Sequence, residues 1–336
     1  MRLPAIITTD LHLTSDPNDE YRWGLFPWLI EQGKKGRVRS VAILGDLTDA
    51  KDYHSSVLVN RVVDNIKKLR DAIGQVLILV GNHDYLKDGH PYFSFLNALD
   101  GVKFIHEPFS DLEEELPVLW LPHSKNPAKE WEVFKSLDWY SHIFMHQTFN
   151  GSVASNGQKM EGDGVDRVSW MNKDLVPEVW SGDIHVPQKK GLVEYVGSPY
   201  HVHFGDSFSP RAILLERGGK RKDLVFPTIQ RATLKLNSLD DLFSLEVSPG
   251  DQVKLKMVMD ESEQQDWPRW RERAKQWAAK EQVQLCGLAL EVKKSRRRLE
   301  KHEDSSARPE DILFKFVSDE DLGPDAYETG MEILEK

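Results

Sequence analysis

An α/β fold is predicted for this 336-residue chain, and three observations predict it. Short apolar runs, partly β-branched, recur between residues 3 and 227, and segments with apolar residues at helical spacing separate them. The runs stop at polar groups: Asp10-Leu11-His12, Gly45-Asp46, Gly81-Asn82-His83-Asp84, His146-Gln147 and Gly182-Asp183-Ile184-His185. The order strand, helix, strand, helix, strand, joined by right-handed crossovers, makes a mostly parallel sheet whose carboxyl edge collects those polar groups.

Leu3 to Thr9 reads as the first strand. Residues i and i+2 lie on one side of extended backbone, so Asp10 and His12 are expected to face the same way, a pairing suited to a divalent metal. Trp23 to Gln32 reads as a short helix and Val38 to Leu44 as the second strand. Val59, Val62, Val63, Ile66, Leu69 and Ile73 give Val57 to Ile73 the stripe of a crossover helix. Gln75 to Val80 is a buried strand, and Gly81 allows the tight turn after it. None of the next three side chains suits a core: Asn82 offers a neutral oxygen, His83 a ring nitrogen or a proton, Asp84 a carboxylate.

Further on, Phe93 to Leu99 and Trp131 to Leu137 read as helices, and Val102 to Ile105 and Val118 to Leu121 as strands. Ser110 to Glu115 reads as a solvated acidic turn. Ser141 to Met145 is a strand ending at His146, and Asn150 to Gly164 a mobile loop rich in Gly, Ser and Asn. Leu192 to Val196 is a strand before the turn Gly197-Ser198-Pro199-Tyr200, and Ala212 to Leu215 pairs with Leu224 to Pro227.

A second region opens near Thr228. Strands Val253 to Met259 and Leu285 to Val292 flank a charged helix, Ser262 to Glu281, that carries Trp267, Trp270 and Trp277. The expected division is 1–227, then a small α+β unit at 228–294, then a charged linker and tail at 295–336. The basic group Lys293 to Arg298 is either a solvated linker or a grip on a backbone phosphate. Ile312, Leu313, Phe314 and Phe316 are too apolar for a free terminus, so they either dock on a partner or fold back on the small unit.

Composition narrows the function classes. The single cysteine, Cys286, excludes a disulfide framework and a cysteine-based zinc cluster, and fits a reducing, cytoplasmic compartment. No basic-then-apolar leader and no apolar run long enough to span a membrane is evident. A net charge of −10 argues against non-specific coating of nucleic acid, but not against an enzyme that meets phosphodiesters through bound cations.

Asp10, His12, Asp46, Asn82, His83, His146, Asp183 and His185 come from five segments and offer one chemistry. Two divalent cations about 3.5–4 Å apart, bridged by a carboxylate, need such an inventory. The order of motifs resembles the calcineurin-like metallophosphoesterases, whose pattern is D-x-H, G-D, G-N-H-D/E, a lone H, and G-H-x-H. The resemblance spans residues 3 to 227, with one departure: Asp183 stands where the family has histidine. Within the superfamily the chain is most similar to SbcD-type nucleases, through Leu119-Trp120-Leu121-Pro122, the stretch Phe144 to Gly151, the turn Val196 to Tyr200, and the small domain that follows. The G-D-x-x-E/D-R-G pattern of protein phosphatases does not fit Asp49-Ala50-Lys51.

That resemblance implies a four-layer α/β/β/α sandwich with an α+β cap and a C-terminal tail, in a protein whose size is similar to phage-encoded members. It implies a DNA nuclease with two divalent ions, for which the nitrogen and oxygen ligands suit Mn²⁺, with Mg²⁺ the alternative. Asp10, His12, Asp46 and His185 would hold the first ion, and Asp46, Asn82, His146 and Asp183 the second. His83 would be the general acid, not a ligand. The implied partners are DNA and an SbcC/Rad-type coiled-coil ATPase, with the nuclease a homodimer in a heterotetramer that processes DNA breaks. A small-molecule phosphodiesterase and a catalytically weakened DNA-end scaffold are the competing readings. His201 and His203 follow the Gly197 turn and are candidates for substrate contact, while His54, His90, His106, His123 and His142 read as surface or satisfied residues.

Overall fold

The apolar runs become strands that divide their side chains between two packed layers. The computed structural model describes residues 1–86, 89–131, 137, 139–161, 177–293, 309–319 and 324–334. The strands are β1 (Ala5–Thr8), β2 (Ser40–Leu44), β3 (Gln75–Leu79), β4 (Val102–Ile105), β5 (Phe109–Asp111) and β6 (Val118–Leu121). They continue with β7 (His142–His146), β8 (Glu178–Gly182), β9 (Gln188–Lys190), β10 (Val193–Tyr195), β11 (Ala212–Leu215) and β12 (Arg221–Leu224). Two six-stranded sheets result, in the orders β12-β11-β1-β2-β3-β4 and β5-β6-β7-β8-β10-β9. β1 to β4 pair in parallel, as do β6, β7, β8 and β10, and the remaining pairs are antiparallel.

Three apolar cores separate four layers. Ile6, Val41, Ile43, Val76 and Ile78 face the outer core of the first sheet. Helix α1 (Glu20–Trp23), α2 (Leu25–Gly36) and α3 (Ser56–Ile73) contribute Trp23, Leu29, Val62 and Ile66 to that core. The alternate residues Ile7, Ala42, Leu44, Leu77 and Leu79 meet Val118, Trp120, Phe144 and Trp180 of the second sheet in the middle. Leu119, Leu121, Ile143, Met145 and Val179 face a third core with Trp131, beside α4 (Pro127–Glu130), and Leu137. Burial on both faces is why these strands read as continuous apolar runs and not as alternating ones.

Several local expectations change. The helix expected over Trp23 to Gln32 is two helices parted at Gly24. Phe93 to Leu99 falls in a 3-10 helix, Tyr92–Ala98. The acidic turn is not wholly solvated: Phe109–Asp111 pairs with β6, and the buried Asp111 carboxylate accepts from the N-terminal ammonium at 2.7 Å. Glu115 pairs with Arg39 and Arg217. Most of the helix expected at Trp131 to Leu137, residues 162–164 of the loop after Asn150, and the basic group beyond Lys293 lie outside the described residues.

Beyond the two sheets, β13 (Arg231–Leu236), β14 (Gln252–Asp260) and β15 (Gln284–Lys293) form a third sheet, and α5 (Trp267–Lys280) buries Trp277. The chain divides into one unit of Met1–Met257 with Arg269–Ala289 and another of Val258–Pro268 with Leu290–Lys336. In the second unit α6 (Pro309–Asp319) packs on α7 (Pro324–Leu334). Phe314 and Tyr327 meet edge to face at 5.8 Å, and Gly330 makes room for Leu313, which a Cβ there would approach to 2.6 Å. Phe314, Ile333 and Leu334 remain exposed. No helix among the described residues is long and apolar enough to cross a membrane.

Within the first unit a buried charge group ties β13 to the loop after β1. The Arg231 guanidinium donates to Asp19 Oδ1 at 2.5 Å, to Gln252 Oε1 at 2.7 Å and to the Val202 carbonyl at 2.8 Å. Arg22 lies 3.2 Å from the same Asp19 oxygen and donates to the carbonyls of Val202 and His12. Removing the shared acid leaves two guanidiniums buried without it. Asp19→Ala should therefore lower unfolding stability by about 3–5 kcal/mol, read by chemical denaturation; a loss under about 1 kcal/mol, the scale of an exposed pair, would show that water already screens this group.

Candidate metal centre

The site lies at the carboxyl ends of β1, β2, β3, β7 and β8, where parallel strands release their last residues together. The expected extended geometry is absent. Asp10 (φ 54°), His12 (φ 41°), Asp46 (φ 53°) and Asp183 (φ 78°) all lie in the left-handed region. Such a conformation is unfavourable for a residue with a side chain and persists only where its surroundings impose it. Here the Asp10 N–H donates to the Gly45 carbonyl at 3.1 Å, the His12 N–H to the Asp46 carbonyl at 2.9 Å, and the Asp183 N–H to Asp10 Oδ1 at 3.1 Å. Asp84 is fully buried, and its carboxylate accepts from the N–H groups of Gly81 (2.8 Å), Asp46 (3.0 Å) and Leu47 (3.0 Å). Close approach also demands glycine: a Cβ on Gly45 (φ 97°) would stand 2.1 Å from His146 Nδ1, and one on Gly81 2.2 Å from Asp46 Oδ1.

The structure brings all eight predicted residues to one place. Asp10, His12 and His185 form one group able to hold a cation, Asp10, Asp46 and His146 another, and His12, Asp46 and His83 a third. His12 Nε2 and His185 Nε2 are 3.1 Å apart, and His12 Nε2 is 3.5 Å from Asp46 Oδ2. On the other side His146 Nε2 lies 3.4 Å from Asp46 Oδ1 and 3.7 Å from Asp183 Oδ1, and Asn82 Nδ2 is 3.5 Å from that same Asp183 oxygen. Asp46 thus reaches both sets. The His146 Nδ1–H donates to the Leu44 carbonyl at 2.6 Å, which leaves Nε2 as the nitrogen aimed into the site. Thr148 donates to Asp183 Oδ2 at 2.5 Å and orients that carboxylate.

These donors fit metal ions. Asp10 Oδ2, Asn82 Oδ1 and His146 Nε2 are buried and have no hydrogen-bond partner, a costly condition that a cation would relieve. Burial, reinforced by Asp46 and Asp183, pushes the Asp10 carboxyl up to about 7, although His146 pulls the other way. Burial also acts to raise Asp46, but His146, His12 and His83 outweigh it and hold that carboxyl far below the usual range. Burial, with His12 and His203 beside it, keeps the His185 imidazole well below its usual value, so the ring is neutral and can coordinate. Among the described residues the ion-pair partners of Asp46 and Asp183 are imidazoles, with no lysine or arginine.

The remaining histidines separate clearly. His201 is buried and structural: its Nε2 meets the Phe208 carbonyl at 2.8 Å. His203 is exposed, its ring stacked on His185 at 5.4 Å between centroids. His54 stacks on Tyr92 at 3.9 Å, and His142 lies against Trp180 at 5.4 Å. His123, whose ring is 6.3 Å from that of His146, is closer to the site than its sequence context suggests. Sequence reasoning also passed over Asp49, which lies 3.2 Å from His12 Nδ1 and whose carbonyl accepts from His83 Nδ1 at 2.7 Å. Its bond to His12 holds the Asp49 carboxyl down at about 2. The available signals were short spacings, Asp49 three residues after Asp46 and Thr148 two after His146.

The profile of the calcineurin-like phosphoesterase family matches residues 3–187. The chain is also 27% identical over 213 residues to the exonuclease subunit 1 of Enterobacteria phage T4, an alignment that covers 60% of this chain and 61% of that protein.

Asp183 is the departure from the family motif, and its place between His146, Asn82 and Thr148 predicts a measurable effect. If Asp183 ligates a cation, Asp183→Ala should weaken manganese binding by more than the roughly ten- to hundredfold typical of outer-shell changes, and Asp183→His should restore most of it. Calorimetric titration with manganese checks this; unchanged affinity in the alanine variant would place Asp183 outside the coordination shell.

Proposed function

Since the chain belongs to the calcineurin-like phosphoesterases, we propose that it is a metal-dependent DNA nuclease, the nuclease subunit of an assembly with an SbcC-type coiled-coil ATPase. The observation that carries the reading is the convergence on Asp46, at one sheet edge, of the buried Asp10 Oδ2, Asn82 Oδ1 and His146 Nε2, none of which has a hydrogen-bond partner. The exonuclease-subunit name of the phage T4 relative supports both a nucleic-acid substrate and the existence of a partner. Because the match spans less than two thirds of that relative, the activity of the whole protein is proposed by extension.

Asp10, His12, Asp46 and His185 would hold one divalent ion, and Asp46, Asn82, His146 and Asp183 the other, with manganese suited to this mix of nitrogen and oxygen. When bound, the ions orient the phosphate and make the attacking water more acidic. His83 would hand a proton to the leaving oxygen. Its Nδ1–H is spent on the Asp49 carbonyl at 2.7 Å, and its backbone N–H is held by Asp46 Oδ1 at 2.9 Å, so Nε2 is the ring position left for the substrate. Burial lowers the His83 pKa, against the pull of Asp46, which makes the charged ring a readier donor. Asp49 acts through His12 and His83 as a positioning residue.

In this reading residues 1–227 perform hydrolysis, 228–294 cap the site, and 295–336 engage the ATPase. The exposed Phe314, Ile333 and Leu334 on the paired helices α6 and α7 support that last assignment.

Purified protein should cleave a short single-stranded oligonucleotide with added manganese and stop in excess chelator. Cleavage of bis-p-nitrophenyl phosphate with no cleavage of DNA would favour a small-molecule phosphodiesterase, and two bound metals without turnover a scaffold. His83→Gln should lose about 10²–10⁴-fold in kcat while it keeps two metals; loss of one metal would make His83 a ligand. Deletion of residues 309–336 should abolish co-purification with the ATPase and spare cleavage of the oligonucleotide, and a truncated chain that still binds would refute the docking role.

A further inference from the structure

His203 is set by its surroundings in a way that no structural need explains. The chain on either side of it is pinned. The Val202 carbonyl accepts from Arg22 at 3.1 Å and from Arg231 at 2.8 Å. The Asp206 carboxylate takes the N–H of Val202 at 2.7 Å and that of His203 itself at 2.9 Å. The His201 carbonyl accepts from the Tyr21 hydroxyl at 2.7 Å, and the next ring, Phe204, lies under the Arg231 guanidinium at 4.9 Å. Between two buried neighbours, His201 and Val202, and this anchored turn, the His203 side chain alone is turned out to solvent.

The direction in which it is turned matters. Its ring lies nearly parallel to that of His185, 5.4 Å away with a 24° tilt, and 6.4 Å from the ring of His12. His83 stands 4.8 Å from the same His12 ring. Two imidazoles that are not in the proposed ligand sets therefore border His12 at the mouth of the metal centre. A rigid backbone that holds an exposed hydrogen-bond donor beside a reaction centre is the arrangement expected of a group that meets substrate, since its orientation is fixed before the ligand arrives. A neutral imidazole always carries one N–H, so the ring can donate without a change of charge.

We propose that His203 is a substrate-binding residue, whose exposed ring N–H donates to a phosphate oxygen of the phosphodiester held over the metal centre. This rests on the nuclease reading above and extends it to a residue outside the family motifs. The departure at Asp183 gives the contact added weight: a carboxylate in place of a neutral imidazole brings more negative charge to the centre, and a further donor at its mouth offsets the repulsion an incoming phosphate meets.

The test compares three variants on one short single-stranded oligonucleotide with manganese, with bound metal measured in each. His203→Phe keeps a ring against His185 and has no donor. His203→Gln keeps a donor and has no ring. His203→Ala keeps neither. A hydrogen bond to a charged group predicts a loss of roughly ten- to hundredfold in kcat/KM for Phe and Ala alike, chiefly through KM, partial recovery in Gln, and two metals bound throughout. Wild-type kinetics in the Phe variant would overturn the contact and leave only the stacking on His185. Loss of metal in the Phe variant would overturn it equally, by making His203 a support of the metal site. Failure of the wild-type chain to cleave the oligonucleotide at all would count against the nuclease reading, and is distinct from either outcome.

Discussion

The carboxylate of Asp84 is the constraint on which the site depends. It is fully buried between the ends of β2 and β3 and satisfies three backbone N–H groups, those of Gly81, Asp46 and Leu47. Left without that acceptor, those buried donors would each cost free energy comparable to a lost hydrogen bond. With it, the Asp46 backbone is held at φ 53°, and its side chain is delivered between two sets of donors. The His12 N–H then bonds to the Asp46 carbonyl, and the Asp183 N–H to the Asp10 carboxylate, so that the ends of β1 and β8 are registered on the same frame. The left-handed backbone at Asp10, His12, Asp46 and Asp183 is sustained because the sheets that carry them have buried cores on both faces.

Electrostatics shows why such a frame can accommodate cations. Asp10, Asp46 and Asp183 converge where imidazoles are the neighbouring bases, and burial, reinforced by the other two carboxylates, pushes the Asp10 carboxyl up. A proton can neutralise one carboxylate at a time. A divalent ion would neutralise two and would also fill the place of the hydrogen-bond partner that Asn82 Oδ1 and His146 Nε2 lack. Ion binding is therefore coupled to the stability of this corner of the fold, since ligands pre-arranged at the strand ends exist only in the folded chain.

The same corner is wired to the third sheet. Arg231 of β13 shares Asp19 with Arg22, and Arg22 ends on the carbonyl of His12. Both guanidiniums also hold the Val202 carbonyl, next to His203. A displacement of β13 would thus be felt at His12 and beside His203 through one buried charge group.

Much of this was legible in the residues. Strands buried on both faces must be written as unbroken apolar runs, so β1, β2, β3 and β7 stand out, and polar residues at their carboxyl ends have no core role to compete with a functional one. The identities of Asp10, His12, Asp46, Asn82, His146, Asp183 and His185 followed from that, as did their convergence. The backbone that delivers them did not. A left-handed aspartate looks in sequence like an extended one, because the conformation is imposed by hydrogen bonds from another strand. Short or irregular elements such as β5 and β9 escaped for a related reason: Asp111 is a buried acid only because the N-terminal ammonium comes to it from 110 residues away. Histidines were the least legible. His201 and His203 are two residues apart, yet one is locked by Phe208 and the other opens toward the site. The chain determined which chemistry was present and at which strand ends. The tertiary structure decided which polar groups are held inward, which are held outward and which sustain one another, because burial and partner distance are properties of segments that meet only on folding.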